Sequence, residues 1–286
     1  EVICVDNFVL GRMENLNAAL ENKSFRLYNL DLLDLESLDE IFNKEKFDIV
    51  YHLAANSDVG IGSKSTQIDL NLTFMTTFNV LETMRRNSVN KIVFTSTPAI
   101  FGYKKEPLTE DLPKNPESLY GASKLSSEVF IEAFTSLFDF KAWIIRLSNI
   151  VGDRATHGVI FDFINKLQNN DKELEVLGDG NQKKPYMYVG EIVDSILYIP
   201  KNSSGSFNVF NVGPKDTTKV SDIAKLLISE MGLSSRIRYT GGKKGWKGDV
   251  SYYSYDAAKL ESIGWSTKLT SDEAVMLAIR KMLNKE

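Results

Sequence analysis

The chain has 286 residues, of which 43% are hydrophobic and 25% are charged, and its formal net charge is −4 at pH 7. This mild negative charge excludes a general electrostatic attraction to nucleic acid, and no apolar stretch approaches the ~20 residues of a membrane-spanning helix. With two histidines, the single Cys4 and no signal peptide at its start, the sequence indicates a cytoplasmic protein without a disulfide or a bound metal.

Short apolar runs alternate with helical segments through the first half of the chain, which is typical of a doubly wound parallel sheet. Long helices are predicted over about 65–86 and from Tyr120 to Phe138, where apolar residues recur at helical spacing. Asp34 is the predicted N-cap of a shorter helix. The runs that predict strands lie at 1–5, 25–29, 47–53, 91–95 and 142–147.

The strict alternation of strands and helices loosens from about Val151. Residues 208–213 again predict a strand, and 221–231 predict the helix that follows it. We therefore expect an α/β domain over 1–150, to which a strand from the region 185–212 returns, and a smaller α/β domain mainly over 151–286.

The pattern with the strongest chemical implication is Tyr120-Gly-Ala-Ser-Lys124. Tyrosine and lysine four residues apart share one face of a helix, so the lysine ammonium can stabilise the phenolate. A predicted strand with a hydroxyl-rich end precedes this helix, and Thr97 at that end can reach the same reacting oxygen. Together Tyr120, Lys124 and Thr97 indicate a proton-transfer site, whereas the alternative is an ordinary helix start.

The same tyrosine–lysine spacing occurs at two other places in the chain. Tyr239 and Lys243 enclose two glycines, which oppose a helix and so remove the shared face. Tyr255 and Lys259 follow no hydroxyl-bearing strand end. The context therefore favours Tyr120 as the reactive tyrosine.

Acidic and small residues end the predicted strands of the first half. Asp6 ends the first predicted strand of this chain. In a dinucleotide-binding fold, an acid at the end of the second strand commonly accepts the ribose hydroxyls of NAD, and such an acid disfavours NADP. The alternative is a turn aspartate beside Asn7. Small residues at 54–55 permit close approach of the backbone to a ligand, and His52 is interpreted as a packed histidine.

Taken together, these motifs resemble those of the extended short-chain dehydrogenases that act on nucleotide sugars, and within them most closely the UDP-glucose 4-epimerases of archaea and bacteria. The resemblance covers nearly the whole chain and rests on the order and spacing of many short motifs. They are Val5-Asp6-Asn7, Asp31-Leu32, His52 to Ala55, Asn71, Thr95 to Thr97 with Gly102, Tyr120 with Lys124, Arg146 to Asn149, Gly178 to Gln182, Tyr188-Val189 and Phe210 to Gly213.

The resemblance implies a Rossmann-type fold that binds NAD. By position, Asp6 and Asn7 would hold the adenosine ribose and Asp31 and Leu32 the adenine, while the backbone of 54–55 would lie near the pyrophosphate and ribose. The full implied NAD set is Asp6, Asn7, Asp31, Leu32, Leu53, Ala54, Ala55, Asn71, Thr95, Tyr120 and Lys124.

The resemblance also implies a UDP-sugar substrate bound by the second domain. Lys184 stands where relatives usually have arginine, and lysine holds phosphate as a point charge without the arginine fork. The bulk of Tyr253 favours sugars without an N-acetyl group. Asn149 could instead cap a turn, and the lysines of 241–249 could be a surface loop. The full implied substrate set is Thr97, Asn149, Val159, Lys184, Tyr186, Lys244, Lys247 and Tyr253.

The residues after Thr97 distinguish reaction types among the proteins that this chain resembles. Dehydratases place Asp-Glu directly after the threonine, because elimination of water needs an acid and a base. Here those positions are Pro98 and Ala99, which cannot transfer protons. The resemblance therefore implies reversible oxidation at C4 and epimerisation. Two alternatives remain: another oxidoreductase of nucleotide sugars, and a non-catalytic protein that binds them.

The resemblance further implies a strand and a G-x-x-G-x-x-G turn that would precede Glu1 and cradle the NAD pyrophosphate. In a sheet of order 3-2-1-4-5-6 that strand is central, so we expect a sheet divided in this chain and interpret the sequence as part of a longer protein. A chain that truly began at Glu1 would bind NAD weakly or not at all. In relatives the helices at 65–86 and 117–138 form a homodimer interface, although Phe74, Phe78 and Phe130 could equally be core.

Overall fold

A parallel sheet organises the first half of the chain in the computed structural model, which describes residues 1–57, 62, 65–243, 245 and 250–285. Four parallel strands form its main part in the order β10-β5-β4-β3. They are β3 (Val50–His52), β4 (Lys91–Ser96), β5 (Lys141–Leu147) and β10 (Phe207–Val212). Helices cover both faces, so the predicted doubly wound α/β fold is confirmed.

The first two strands of the chain are separate from this main part of the sheet. Strands β1 (Val2–Asp6) and β2 (Phe25–Asn29) pair with each other in parallel and form a separate two-stranded sheet. Among the described residues no strand joins β1 to β3. This is the division that we expected from the sequence.

The helices lie close to the predicted segments. Side chains cap several of their N-termini: Asp34 accepts a hydrogen bond from the Ser37 amide, and Ser118 accepts one from the Gly121 amide. Short 3₁₀ turns occupy Met13–Leu16 and Pro98–Ile100. The helices are α1 (Asn17–Leu20), α2 (Leu35–Lys44), α3 (66–86), α4 (Leu119–Phe138), α5 (Val159–Asn169), α6 (Val189–Asn202), α7 (Val220–Glu230), α8 (Ala258–Ser262) and α9 (Ser271–Met282).

Helix α3 differs from the prediction of one regular helix. It begins as an α-helical turn at Thr66–Asp69, continues as a π-helix over Leu70–Met75 and returns to α-helix at Thr76–Arg86. Within this region the hydroxyl of Thr77 donates to the Thr73 carbonyl at 2.6 Å, so side chains supplement the backbone hydrogen bonds. Apolar spacing alone does not encode such an interruption.

Three of the four apolar cores among the described residues support these layers. One lies between the main sheet and helices α2, α3 and α4, around Phe94 and Ile131. A second lies on the opposite face under α6, around Trp143. The third holds the C-terminal part together, where α5, α7 and α9 pack around Leu174 and Leu227.

Short strands connect the C-terminal part to the main sheet. Strand β6 (Asn149–Val151) directly follows β5 and pairs in parallel with β9 (Tyr186–Tyr188). The other pairs are β7 (Glu173–Val176) with β12 (Arg236–Tyr239), and β8 (Lys183–Lys184) with β11 (Thr218–Lys219). Strand β10 thus lies in the main sheet and α6 before it packs on that sheet, whereas α7 after it belongs to the C-terminal part. A domain boundary near residue 150 stays a proposal.

A buried ion pair ties helix α4 to strand β5. The Arg146 guanidinium donates to both carboxylate oxygens of Glu128, at 3.0 and 2.8 Å, and both side chains are almost fully buried. A further nitrogen of Arg146 donates to the Glu110 carbonyl at 2.9 Å. Because α4 carries Tyr120 and Lys124, this pair fixes the helix that presents the predicted reactive residues.

We expect Glu128→Gln to lower the free energy of unfolding by roughly 3 to 5 kcal/mol, because it leaves the buried Arg146 charge without its counter-ion. The control is Glu82→Gln, which breaks the exposed pairs to Arg85 and Arg86 and should cost at most ~1 kcal/mol. Urea unfolding measures both. Equal losses in the two variants would contradict this role of Glu128.

Candidate active site

A cavity of about 1130 Å³ opens at the carboxyl ends of β3, β4 and β5, where open parallel sheets bind their ligands. Most of the predicted reactive and substrate residues line it, together with part of the predicted NAD set. These lining residues are Leu53, Ala55, Thr95, Thr97, Tyr120, Lys124, Asn149, Val159, Lys184, Tyr186 and Tyr253. Two predicted residues, Lys244 and Lys247, lie outside the described residues.

The turn after β4 brings Thr97 and Tyr120 together. Thr97 caps the 3₁₀ turn that begins at Pro98, with its hydroxyl oxygen accepting from the Ala99 amide at 3.2 Å, and it also hydrogen-bonds to the Tyr120 side chain. Helix α4 can approach this turn because residue 121 is glycine: a Cβ there would lie 2.5 Å from the Ala99 carbonyl oxygen. The contact therefore requires a residue without a side chain.

Lys124 is only 3% exposed and points at the end of strand β4. Its ammonium donates to the Thr95 carbonyl at 2.7 Å and lies 4.6 Å from the centre of the Phe94 ring. Burial lowers the pKa of Lys124 to about 7, an effect that the nearby Glu128 carboxylate opposes. The four-residue spacing had indicated this lysine from the sequence alone. It lies one helical turn after Tyr120, on the side of α4 that faces the end of β4.

Burial raises the pKa of Tyr120 to about 12. The hydrogen bond to Thr97 lowers the pKa, and the charge of Asp69 raises it. In this structure the phenol therefore holds its proton firmly.

His52 is a buried, packed histidine, as the sequence indicated. Its ring stacks on Phe94 with the centroids 5.7 Å apart, and its Nε2 atom lies 3.0 Å from the Thr77 hydroxyl. Burial, with a further contribution from the Lys124 charge, lowers the pKa of His52 to about 3. The imidazole is therefore neutral at physiological pH.

The predicted adenosine residues lie together at the carboxyl ends of β1 and β2. Asp6 accepts from the Phe8 amide at 2.7 Å, and the Asp31 carboxylate accepts from the Asn7 side chain at 3.1 Å. Phe8 has φ +56°, a conformation that is costly for a bulky residue and recurs at binding loops. Asp6 thus lies in a turn, which was one of the two interpretations of the sequence. The same turn is the loop in which the other interpretation places a carboxylate that binds the ribose.

The rest of the predicted NAD set lies in two places. Ala54 follows β3 between two residues that line the cavity, and Asn71 lies in the π-helical segment of α3. Sequence analysis missed Asn79 on the same helix, whose amide donates to the Leu32 carbonyl at 2.8 Å. This bond holds the backbone of the predicted adenine loop, and no sequence signal indicated it.

The predicted sugar end of the cavity is built around two buried tyrosines. Tyr253 donates to the Asn149 side-chain oxygen at 2.8 Å and packs edge-on against Tyr255, with ring centroids 5.7 Å apart. Tyr186 in β9 is also buried, and Val159 begins helix α5. The bond to Tyr253 assigns Asn149 a partner inside the cavity, where the sequence had left a turn cap as the alternative.

Sequence analysis also missed a buried polar pair beside the reactive residues. The Asn56 side chain donates to Asp69 at 2.8 Å, and both residues are at least 98% buried.

Among the described residues, no group of three or more histidine, cysteine, aspartate or glutamate side chains could hold a metal ion. None of the described helices combines the length and the apolar character that crossing a bilayer requires.

Comparison with known proteins identifies a family for this geometry. The NAD dependent epimerase/dehydratase family matches residues 1–213. A Methanocaldococcus jannaschii protein with the provisional name UDP-glucose 4-epimerase is 30% identical over 99% of this chain and 91% of its own length. The crystal structure of a UDP-galactose 4-epimerase has a TM-score of 0.88 at 35% identity and covers 99% of this chain and 90% of its own.

A second solved structure carries a ligand in its name. The UDP-glucose 4-epimerase of Thermotoga maritima with UDP-glucose has a TM-score of 0.88 at 28% identity, over 99% of this chain and 91% of its own. Relatives named as dTDP-D-glucose 4,6-dehydratases and a UDP-glucuronate 4-epimerase also match. The comparisons therefore agree on the family and leave the sugar open.

The neutral, buried His52 makes stability depend on pH. Its pKa is about 3 when folded, against a usual 6.5, so below pH 6.5 the unfolded chain binds a proton that the folded chain does not. Stability should therefore fall by about 1.4 kcal/mol per pH unit from pH 6.5 downward, until the folded pKa is reached. Urea unfolding between about pH 5 and pH 6 isolates this slope, because most carboxylates titrate lower and Lys124 titrates higher.

The chain has one other histidine, His157, which is exposed. His52→Phe should remove this contribution to the slope, whereas His157→Phe should retain it. Parallel slopes for both variants and the parent protein would show that His52 titrates normally in the fold.

Proposed function

Because this chain belongs to the NAD dependent epimerase/dehydratase family, we propose that it is a 4-epimerase of UDP-sugars that interconverts UDP-glucose and UDP-galactose. The observation that carries this proposal is the convergence of Tyr120, Lys124 and Thr97 on one cavity, with proline and alanine directly after the threonine. The epimerase names of several similar proteins support it.

Three side chains would perform the proton transfer. The Tyr120 phenolate takes the proton of the C4 hydroxyl during oxidation and returns it during reduction. Thr97, already hydrogen-bonded to Tyr120, holds the same substrate oxygen. The Lys124 ammonium, fixed by the Thr95 carbonyl, stabilises the phenolate through its charge. Since the pKa of Tyr120 is about 12 in this structure, Lys124 and the bound ligands must lower it for turnover.

The residues at the carboxyl ends of β1 and β2 fit NAD as the cofactor. Asp6 and Asp31 offer carboxylate acceptors for hydroxyl and amino groups. The loop after β1 folds back onto Asp6 so closely that a Cβ on Gly11 would lie 2.7 Å from its carboxylate oxygen. NAD held by these residues would supply reversible hydride transfer at C4 of the sugar, so that no net oxidant would be consumed.

The turn after Thr97 supports epimerisation over dehydration. Pro98 and Ala99 occupy its first positions and carry no acid or base. Elimination of water would need both groups beside the sugar. A stoichiometric oxidoreductase of nucleotide sugars is the second candidate, because the same three residues would serve it.

The far end of the cavity supports an unacetylated UDP-sugar. The buried Tyr253, fixed by its bond to Asn149, takes up space at the end of the cavity where we expect the sugar to bind. An N-acetyl group on the sugar would need that space. Lys184 supplies a positive charge for the diphosphate from strand β8. A point charge orients phosphate less strictly than the arginine fork does, so the nucleotide would be held more loosely.

We also propose that the protein is a cytoplasmic homodimer that associates through helices α3 and α4. Four apolar side chains in the C-terminal half of α4 are exposed, and Leu137 is the most exposed of them, at 73%. A row of this kind on one helix is unusual on a monomer surface. The other three are Val129, Phe130 and Phe138.

Turnover without an external nicotinamide tests the proposed reaction. The complete natural protein, incubated with UDP-galactose alone, should form UDP-glucose, which chromatography of the nucleotide sugars detects. An oxidoreductase would convert substrate only when NAD(P) or NAD(P)H is supplied in stoichiometric amounts. A binding protein would convert none under either condition.

Tyr120→Phe should lower kcat by at least ~100-fold, because it removes the proton acceptor, while UDP binding persists. Tyr239→Phe is the matched control, since Tyr239 has the same spacing to a lysine but lies exposed on β12, and it should keep the parent rate. A near-native rate for Tyr120→Phe would exclude Tyr120 as the base.

Leu137→Glu should convert the dimer to a monomer, because a charge at a buried apolar contact opposes association. Leu33→Glu, on an exposed leucine in the loop after β2, should leave the mass unchanged. Light scattering after size exclusion measures both masses, and a Leu137→Glu dimer would place the interface elsewhere.

A further inference from the structure

A chain of hydrogen bonds behind the cavity wall holds strand β9 in place. The backbone amide of Tyr186 donates to the Ser271 hydroxyl oxygen at 3.0 Å, and that oxygen lies 2.7 Å from the Thr218 hydroxyl. Thr218 in turn donates to the Asp272 carboxylate at 2.5 Å. The first three residues are buried, whereas Asp272 is exposed. The bonds therefore connect a residue that lines the cavity to the first turn of helix α9.

The direction of these bonds follows from the number of protons. A threonine hydroxyl has one proton, and Thr218 gives it to Asp272. In the middle bond Ser271 is therefore the donor and Thr218 the acceptor, while the oxygen of Ser271 accepts from the Tyr186 amide. Because the last acceptor is a carboxylate, its charge strengthens the bonds before it.

Helix α9 gives this chain of bonds a fixed end. Thr270 and Glu273 form a reciprocal capping box at its N-terminus, and the Ser271 amide donates to the Asp216 carboxylate at 2.9 Å. The buried face of the helix lies in the apolar core of the C-terminal part. Strand β9 is thus fixed to a helix that cannot easily move.

The residues fixed in this way are those that we expect to hold the substrate. Lys184 and Tyr186, separated only by Pro185, both line the cavity. Thr218 is paired with Lys184 across strands β8 and β11. The Pro185 carbonyl accepts from the Asn149 amide at 3.2 Å, so the same segment supports Asn149. A shift of this segment would move the predicted phosphate charge and the predicted sugar contact together.

The predicted reactive residues lie on other elements. Tyr120 and Lys124 belong to α4, and Thr97 follows β4, whereas the bonds described above join β9, β11 and α9. A lysine holds phosphate as a point charge, and the energy of that contact depends on distance. The position of the segment should therefore affect the binding of substrate and not the transfer of protons.

We propose that Ser271 is a positioning residue, which fixes the segment of Lys184 and Tyr186 and thereby sets the affinity for the UDP part of the substrate. Thr218 and Asp272 strengthen the bond that Ser271 accepts. The inference rests on the proposed function, because it requires that the cavity binds a UDP-sugar. It extends the substrate site to three residues that do not line the cavity.

The decisive variant is Ser271→Ala, which leaves the Tyr186 amide without its partner. Calorimetric titration with UDP alone should give a dissociation constant roughly 3- to 10-fold higher than that of the parent protein, as expected for one lost hydrogen bond. In the active protein KM for the UDP-sugar should rise by a similar factor with kcat unchanged, because binding is weakened equally in the ground state and the transition state.

The matched control is Ser195→Ala. Ser195 is also fully buried, but its hydroxyl donates to the Ile192 carbonyl at 2.7 Å within its own helix, α6. Each variant loses one buried hydroxyl, so Tm should fall in both, whereas only Ser271→Ala should weaken the binding of UDP. Unchanged affinity in Ser271→Ala, or an equal loss of affinity in both variants, would overturn the proposal.

Two variants of Thr218 test the same chain of bonds without a change in α9. Thr218→Val keeps the shape of the side chain and removes the acceptor for Ser271, so it should also weaken the binding of UDP. Thr218→Ser keeps the hydroxyl and should retain the parent affinity. If Ser271→Ala does not fold, this pair decides, and equal affinities would contradict the proposal. A parent protein that binds no UDP would instead refute the proposed substrate, and this inference with it.

Discussion

The burial of Lys124 against the carboxyl end of β4 is the interaction on which the site depends. A lysine ammonium in the interior is unfavourable unless hydrogen bonds satisfy it, and here the Thr95 carbonyl and the face of Phe94 provide that compensation. The contact sets the distance between helix α4 and the sheet. Tyr120, one turn earlier on the same helix, is thereby held over the turn that contains Thr97.

Around this contact, the molecule places several further charges in its interior. The Arg146–Glu128 pair is fully matched and connects the same helix to the neighbouring strand β5, whereas Asp69 is only half matched. A matched buried pair fixes geometry at little net gain in stability. An unmatched charge projects its field onto its neighbours because little water screens it. A matched pair and a half-matched charge are thus buried in the same group of packed helices.

The sequence was most informative where a feature depends on neighbours along the chain. The strands, the helix caps and the pairing of Tyr120 with Lys124 all follow from local spacing. Contacts between distant segments carried no such signal: Asn79 reaches Leu32 across 47 positions, and Asn56 reaches Asp69 across 13. The raised pKa of Tyr120 carried no such signal either, because it results from burial by several elements at once.

The π-helical segment of α3 has a consequence for the register of the whole site. A π turn holds one more residue than an α turn, so the residues before Leu70–Met75 are rotated relative to those after it. Each residue of a regular helix turns by about 100°. Loss of a single residue here would restore regular helix and swing Asp69 and Asn71 away from their present directions, while Thr77 and Asn79 kept theirs. In evolutionary terms, one insertion or deletion in this segment would change the direction of Asp69, and with it the hydrogen bond to the cavity residue Asn56, without altering any residue of the cavity itself.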